Sequence, residues 1–195
     1  MKSIAFFDFD GTIIRRDSFP AFIIFSRGYI KFTLAAIWFI PCVIIARIFN
    51  QDQGKVKEKW FSFHFKGEDR AIMENQAADF IRFLQNSGTI RENIISTIKD
   101  FQKSGIPCVI VSASPDIWIK PFSNQYQMDY ICTEVEINDE ILSGRFRGKN
   151  CKGAEKKIRI NKKYNLQDYD RIIAYGDSSG DNEMMSLATE VNWIR

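Results

Sequence analysis

The chain has 195 residues, 45% hydrophobic and 26% charged, with a formal net charge of +3 from 27 basic and 24 acidic side chains. That composition excludes disordered, collagenous and coiled-coil classes, and the charge is too balanced for a nucleic-acid-binding surface. The single histidine, His64, and four cysteines lacking any Cys-x-x-Cys pair argue against an ordinary zinc site. A Ser-His-Asp triad would need His64, and no Gly-x-Ser-x-Gly turn supplies its partner. No basic-then-apolar leader opens the sequence, and with the scattered cysteines this leads us to expect a reduced, cytoplasmic setting.

Ser3 to Phe9 reads as a buried strand, apolar on both faces as in a parallel sheet. It runs into Asp8-Phe9-Asp10-Gly11-Thr12. Residues 17–86 break from strand-helix alternation and read as an inserted helical cap, with Glu68 to Gln85 as one of its helices. Residues 1–16 and 87–195 then form the core. Ile90, Ile94, Ile95, Ile98 and Phe101 make a helical stripe stopped by Gly105. Ile106 to Val111 is a second strand, followed by Ser112-Ala113-Ser114-Pro115, where Pro115 suits a first helical turn. Val135-Glu136-Ile137 and Ile141 to Phe146 flank a polar turn and predict a hairpin. Lys152 to Tyr164 reads as a helix, Arg171 to Tyr175 as a third strand, Asp181 to Ala188 as a short helix and Val191 to Ile194 as a last strand. The fold class is therefore α/β, a Rossmann-like parallel sheet with a helical insertion. Three polar clusters at three strand ends would converge on one crevice.

Within the cap, Phe32 to Ala46 is fifteen residues without a charge. As a helix it spans about 22 Å, short of a ~30 Å hydrocarbon layer, and Pro41 should kink or break it. Two readings stand: a helix packed within the cap, or an interfacial segment on membrane lipid, favoured by the flanking basic residues Arg27, Lys31, Arg47, Lys55, Lys57 and Lys59. Trp38, Trp60 and His64 are assigned to core packing.

The clusters carry the chemistry. Asp8 and Asp10 stand two apart beyond a strand end, so one can attack an electrophile while the other moves protons. Gly11 allows a tight turn whose amides approach a phosphate. Ser112 and its neighbours at a strand-to-helix junction suit phosphate binding. Asp177 at a strand end, with Asp181 four residues on, suits a hard cation such as magnesium. A lysine would relieve the repulsion between an anionic nucleophile and an anionic phosphate. Lys152 and Lys156 lie one helical turn apart, and either fits.

The ordered set Asp8-x-Asp10-Gly11-Thr12, Ser112, lysine, Gly176-Asp177-x-x-x-Asp181 resembles the haloacid dehalogenase superfamily. Ser112-Ala113-Ser114-Pro115 and Asn150-Cys151-x-Gly153-x-x-Lys156 look most like its phosphoserine phosphatase-like subfamily. The long apolar cap is similar to that of bacterial phosphatidylglycerophosphate phosphatases of this fold. The resemblance implies Asp8 as nucleophile and Mg2+ ligand, and Asp10 as general acid and base with its backbone carbonyl on the metal. It implies Gly11, Thr12, Ser112 and Ala113 on the phosphoryl group, and Asp177 with Asp181 at the metal. Aligning on Asn-x-Lys-Gly selects Lys152; aligning on Cys-x-Gly-x-x-Lys selects Lys156. The expectation is a Mg2+-dependent phosphomonoesterase acting through an aspartyl-phosphate. Its substrate would be a small phosphate such as phosphoserine or a lipid phosphate at the inner face of the membrane. A phosphotransferase or a non-catalytic phosphate-binding protein on the same scaffold are the alternatives.

Overall fold

The computed structural model describes residues 2–49 and 52–194, without the side chain of Arg47. Five parallel strands, β1 (Ser3–Phe7), β2 (Cys108–Pro115), β3 (Asp129–Thr133), β6 (Arg171–Gly176) and β7 (Glu190–Trp193), form one sheet in the order β3-β2-β1-β6-β7. An antiparallel hairpin, β4 (Val135–Asn138) and β5 (Ile141–Phe146), stands apart from it. Its turn places Asp139 and Glu140 at φ 49° and 64°, the left-handed region that a tight hairpin connection requires.

Strand β1 is central because its residues bury both faces. Ala5 and Phe7 join a core layer with Ile110, Ile173 and Trp118, while Ile4 and Phe6 join the opposite layer with Val109, Val111, Ile160 and Met184. The second layer is closed by α6 (Ala154–Lys163) and α7 (Asn182–Met185). On the first side lie α4 (Glu92–Lys103) and α5 (Asp116–Gln125). The order of connections reverses about β1, so its carboxyl end opens onto the crevice where such sheets bind ligands.

Three helices fill the insertion: α1 (Ser18–Ile48), α2 (Gln53–Phe65) and α3 (Arg70–Asn86). The expected break at Pro41 does not occur; α1 runs through it and departs from helical geometry at Gly28 instead, with φ 81° and ψ 164°. Pro41 is exposed, so the carbonyl it leaves unbonded one turn earlier is not sealed in a core. Gly28 takes a backbone conformation that a side chain would resist. The first part of α1 packs deeply: Phe22 lies 4.7 Å from Trp118 and 5.2 Å from Phe80, ring to ring. Helix α3 packs on α5, and the hairpin packs on α2, where the Phe146 amide donates to Glu58 Oε2 at 2.8 Å. Trp60 is buried and its indole N–H donates to His64 Nε2. Trp38 is a correction: it is 72% exposed, because it lies on the side of α1 turned away from α2.

Strand β3 and helix α2 were not anticipated, and of α5 only its start after Pro115 was. The Ser112-Ala113-Ser114-Pro115 run continues β2 rather than leaving it, and Pro115 is the residue before the helix rather than in its first turn.

Asp116 opens α5 and accepts the Val135 amide at 3.0 Å. Burial, with Glu134 adding repulsion, pushes its carboxyl up to about 6. A raised carboxyl contributes stability below its unfolded value that is lost as pH rises through about 6. Asp116→Asn keeps the acceptor and removes the charge. Denaturant melts should therefore show the variant gaining about 1–2 kcal/mol on wild type between about pH 4 and about pH 7. A constant difference across that range would refute the assignment.

Candidate active site

The site grows from strand register. Phe7 pairs with Ile110 on one side and Tyr175 on the other, so β1 and β6 end at nearly one level while β2 runs on to Pro115 beside the crevice. The Asp8 amide still donates to the Tyr175 carbonyl at 2.9 Å, which holds Asp8 at the floor of the crevice. Gly11 follows at φ 80°, and a Cβ there would collide with the Asp177 carboxylate. The glycine thus serves two needs: a left-handed turn and the close approach of two strand-end loops.

Of the two lysines offered by the motif alignments, Lys156 is the one that meets Asp8. It is buried on α6, with Nζ 2.5 Å from Asp8 Oδ1 and 2.6 Å from Asp181 Oδ1. Lys152 is exposed and lines the rim of the same cavity. Asp181 is buried too; its Oδ2 accepts the amides of Asp177 and Ser178, each at 3.2 Å. Asp8, Asp177 and Asp181 each offer an oxygen within 4.8 Å of the others.

One lysine faces three carboxylates, so negative charge is left uncompensated. Burial pushes Asp8 up to about 7; Lys156 opposes the rise, and the charges of Asp181 and Asp10 add to it. Burial disfavours the charged form of Lys156, but Asp8 and Asp181 outweigh it and hold the ammonium well above its usual range. An all-oxygen donor set with surplus negative charge fits a hard divalent cation.

Asp10 points elsewhere. Its Oδ2 accepts from Ser114 Oγ at 2.5 Å and its Oδ1 from the Ser18 amide at 2.7 Å. Ser18 Oγ lies 2.9 Å from Ser114 Oγ and accepts from the Trp118 indole at 2.9 Å. An indole N–H only donates, so with Asp10 ionised every proton in this chain has one direction, ending on Asp10. Burial and repulsion from Asp17 push Asp10 up to about 6, against Lys57 and the two donated hydrogen bonds.

The haloacid dehalogenase-like hydrolase family model matches residues 5–186, which takes in all of these groups. The chain belongs to this family. A relative is Protein CicA of Caulobacter vibrioides, 34% identical over 187 residues, covering 94% of this chain and 82% of that one. Among solved structures, a protein of unknown function from Bordetella pertussis Tohama I superposes with a TM-score of 0.83 at 16% identity, covering 98% of this chain and 89% of that chain. A substrate-bound phosphoserine phosphatase superposes at 0.69 and 17% identity, covering 98% and 85%. At such identities the likeness is one of fold, and the fold is that of a haloacid dehalogenase-like hydrolase with helices inserted after the first strand.

In this family member the strand ends border a cavity of about 540 Å³. Asp8, Asp10, Gly11, Ala113, Lys152, Lys156, Asp177 and Asp181 line it. Thr12 and Ser112 are not among its lining residues. Both are fully buried: Thr12 Oγ1 has no hydrogen-bond partner among the described residues, and Ser112 Oγ accepts the Ser114 amide at 3.0 Å.

Sequence reasoning passed over Ser18 and Trp118, and it placed Lys57 among the basic residues flanking the apolar segment, whereas Lys57 lines the cavity. Lys57 reaches in from α2, its Nζ donating to the Ala113 carbonyl at 3.0 Å and lying 4.8 Å from the Phe19 ring centre. Burial, with repulsion from Lys152, lowers its pKa against the pull of Asp17 and Asp10. A helical wheel held part of this signal: Lys55 and Lys59 share an exposed face, while Lys57 falls on the other side. Nothing local marked Ser18 or Trp118, because their partners come from 8 to 100 residues away.

Proposed function

We propose that this hydrolase is a Mg2+-dependent phosphomonoesterase with Asp8 as its nucleophile. The observation that carries the reading is the place of Asp8: on the crevice floor, bonded to a buried lysine and clustered with two further carboxylates. Asp8, Asp177 and Asp181, with the Asp10 backbone carbonyl, would hold the ion. When bound, it supplies charge neutralisation and polarisation of the phosphoryl oxygens.

The chain's own groups do the rest. An Asp8 oxygen attacks phosphorus in line, the bond from phosphorus to the ester oxygen breaks, and Asp10 gives its proton to the departing alkoxide. Lys156 offsets the negative charge of nucleophile and phosphoryl group. Asp10 then takes a proton from water, whose oxygen attacks phosphorus and releases Asp8 with inorganic phosphate. Ser114 and the Ser18 amide hold the Asp10 carboxylate while its proton comes and goes. Gly11 and Ala113 border the phosphoryl position; Thr12 and Ser112 act from behind them, through the shape of the loops.

Residues 17–86 serve as the cap over the leaving group. Its Phe19, Pro20, Val43 and Trp60 give the cavity an apolar wall, which supports a leaving group with hydrocarbon character, while Lys57 supports a polar or anionic one. Phosphoserine and a detergent-dispersed lipid phosphate are therefore the two arms of the substrate test.

With either substrate or an aryl phosphate, turnover should disappear on chelation with EDTA and return with Mg2+. Hydrolysis untouched by chelation would remove the metal from the reading. No hydrolysis of any phosphomonoester in a broad panel would remove the activity itself.

A further inference from the structure

The second part of α1 divides its side chains in reverse of a core helix. Tyr29, Ile30, Leu34, Ile37, Trp38 and Ile48 are 66–78% exposed, whereas the buried positions include Ala35, Ala36 and Ala46. Apart from Phe32 and Phe39, which stack on Trp60, the residues facing the protein are mostly small, and large apolar ones face out. A helix apolar on all sides is ordinarily enclosed, and a contiguous exposed apolar face needs a cover.

Charge indicates which cover. Lys31 on α1, and Lys55, Lys59 and Lys66 on or just after α2, the helix packed against α1, are exposed. Among the described residues from Tyr29 to Lys66, the acidic ones are Asp52, which is exposed, and Glu58, which is turned to the Phe146 amide. A second copy of the chain docked face to face would bring like charges together. An anionic lipid surface meets both the apolar face and its basic border.

Geometry indicates how it lies. By length and apolar composition α1, from Ser18 to Ala46, could cross a hydrocarbon layer, but its first turns are committed to the core. The start of α1 is fastened to the core by Phe19, Phe22 and Ile23, and Ser18 holds Asp10. The helix therefore cannot thread through a bilayer without dismantling the site. Beyond the Gly28 break it is free to lie along a surface, with Tyr29 and Trp38 at headgroup level.

We propose that the outer face of α1, from Tyr29 to Ile48, docks the protein onto an anionic lipid bilayer, in the plane of the headgroups. This surface stands apart from the phosphatase reading, since docking needs no turnover. It does share a wall with the cavity, which Val43 of α1 and Trp60 of α2 line.

Co-sedimentation of the intact protein with vesicles tests it. Binding is expected to phosphatidylcholine–phosphatidylglycerol vesicles, about tenfold or more weaker to phosphatidylcholine alone, and weakened by salt. Ile37→Glu with Trp38→Glu should abolish binding with an unchanged melting temperature, because both positions face outward. Lys31→Glu with Lys59→Glu should remove the preference for anionic vesicles. Wild-type protein left in the supernatant with anionic vesicles overturns the proposal. So does concentration-dependent self-association that Ile37→Glu abolishes while vesicle binding is absent, which would assign the face to a second copy. Because the readout is sedimentation, its failure leaves the phosphatase reading untouched, and a failed activity assay leaves the docking result intact.

Discussion

Asp8→Asn should fold normally and lose at least about a thousandfold in turnover of any phosphomonoester the wild type accepts. An amide oxygen is a poor nucleophile, and no neighbouring group can take over: Lys156 holds Asp181, Asp10 is bound by Ser18 and Ser114, and Asp177 belongs to the carboxylate cluster proposed to hold Mg2+. Stability should change by no more than about 1 kcal/mol. The substitution removes a carboxyl that burial has pushed up to about 7, and it relieves repulsion with Asp181. Against this, Lys156 loses one of two partners but keeps the other at 2.6 Å. Circular dichroism and a thermal melt, run beside steady-state kinetics, separate the two effects. A variant turning over within tenfold of wild type would place the nucleophile elsewhere.

Lys156→Met should damage both fold and activity. Asp8 and Asp181 are buried and share this one ammonium at 2.5 and 2.6 Å. Removing it leaves two buried carboxylates facing each other without a counter-charge. Breaking a buried ion pair from one side costs about 3–5 kcal/mol, and that range is expected from denaturant melts. Added Mg2+ should recover part of the loss, because a cation among Asp8, Asp177 and Asp181 replaces some of the missing positive charge. Turnover should fall about a hundredfold or more. Lys152→Met is the control: its side chain is exposed at the rim, so stability should not move and turnover should fall by less than about tenfold. Equal effects of the two substitutions on turnover would contradict the division of roles drawn from burial.

Much of the strand framework was legible because buried parallel strands read as continuous apolar runs. Ser3 to Phe7 and Arg171 to Gly176 are of this kind, and each is followed at once by acidic residues. Strand β3 was not legible: Asp129 is exposed and Tyr130 half-buried at the sheet edge, so Asp129–Thr133 lacks the central-strand signature. The break in α1 was placed at Pro41, the residue with the stronger local penalty. The chain tolerates proline where its free carbonyl is not enclosed, and breaks at Gly28 instead. Trp38 and Trp60 look alike along the sequence, yet one faces outward and the other stacks on Phe39 at 5.7 Å. Which side of an all-apolar helix is covered depends on its neighbour, and periodicity carries no information when every position is apolar.

By itself the sequence determined which residues stand just beyond the central strands, since strand length and turn chemistry are local properties. Asp8, Gly11 and Asp177 follow from that alone. Tertiary structure decided which lysine meets Asp8, what holds Asp10 and which face of α1 is left bare. Each of those depends on groups far apart in the chain meeting at a distance of a few ångströms, and no local preference encodes such a meeting.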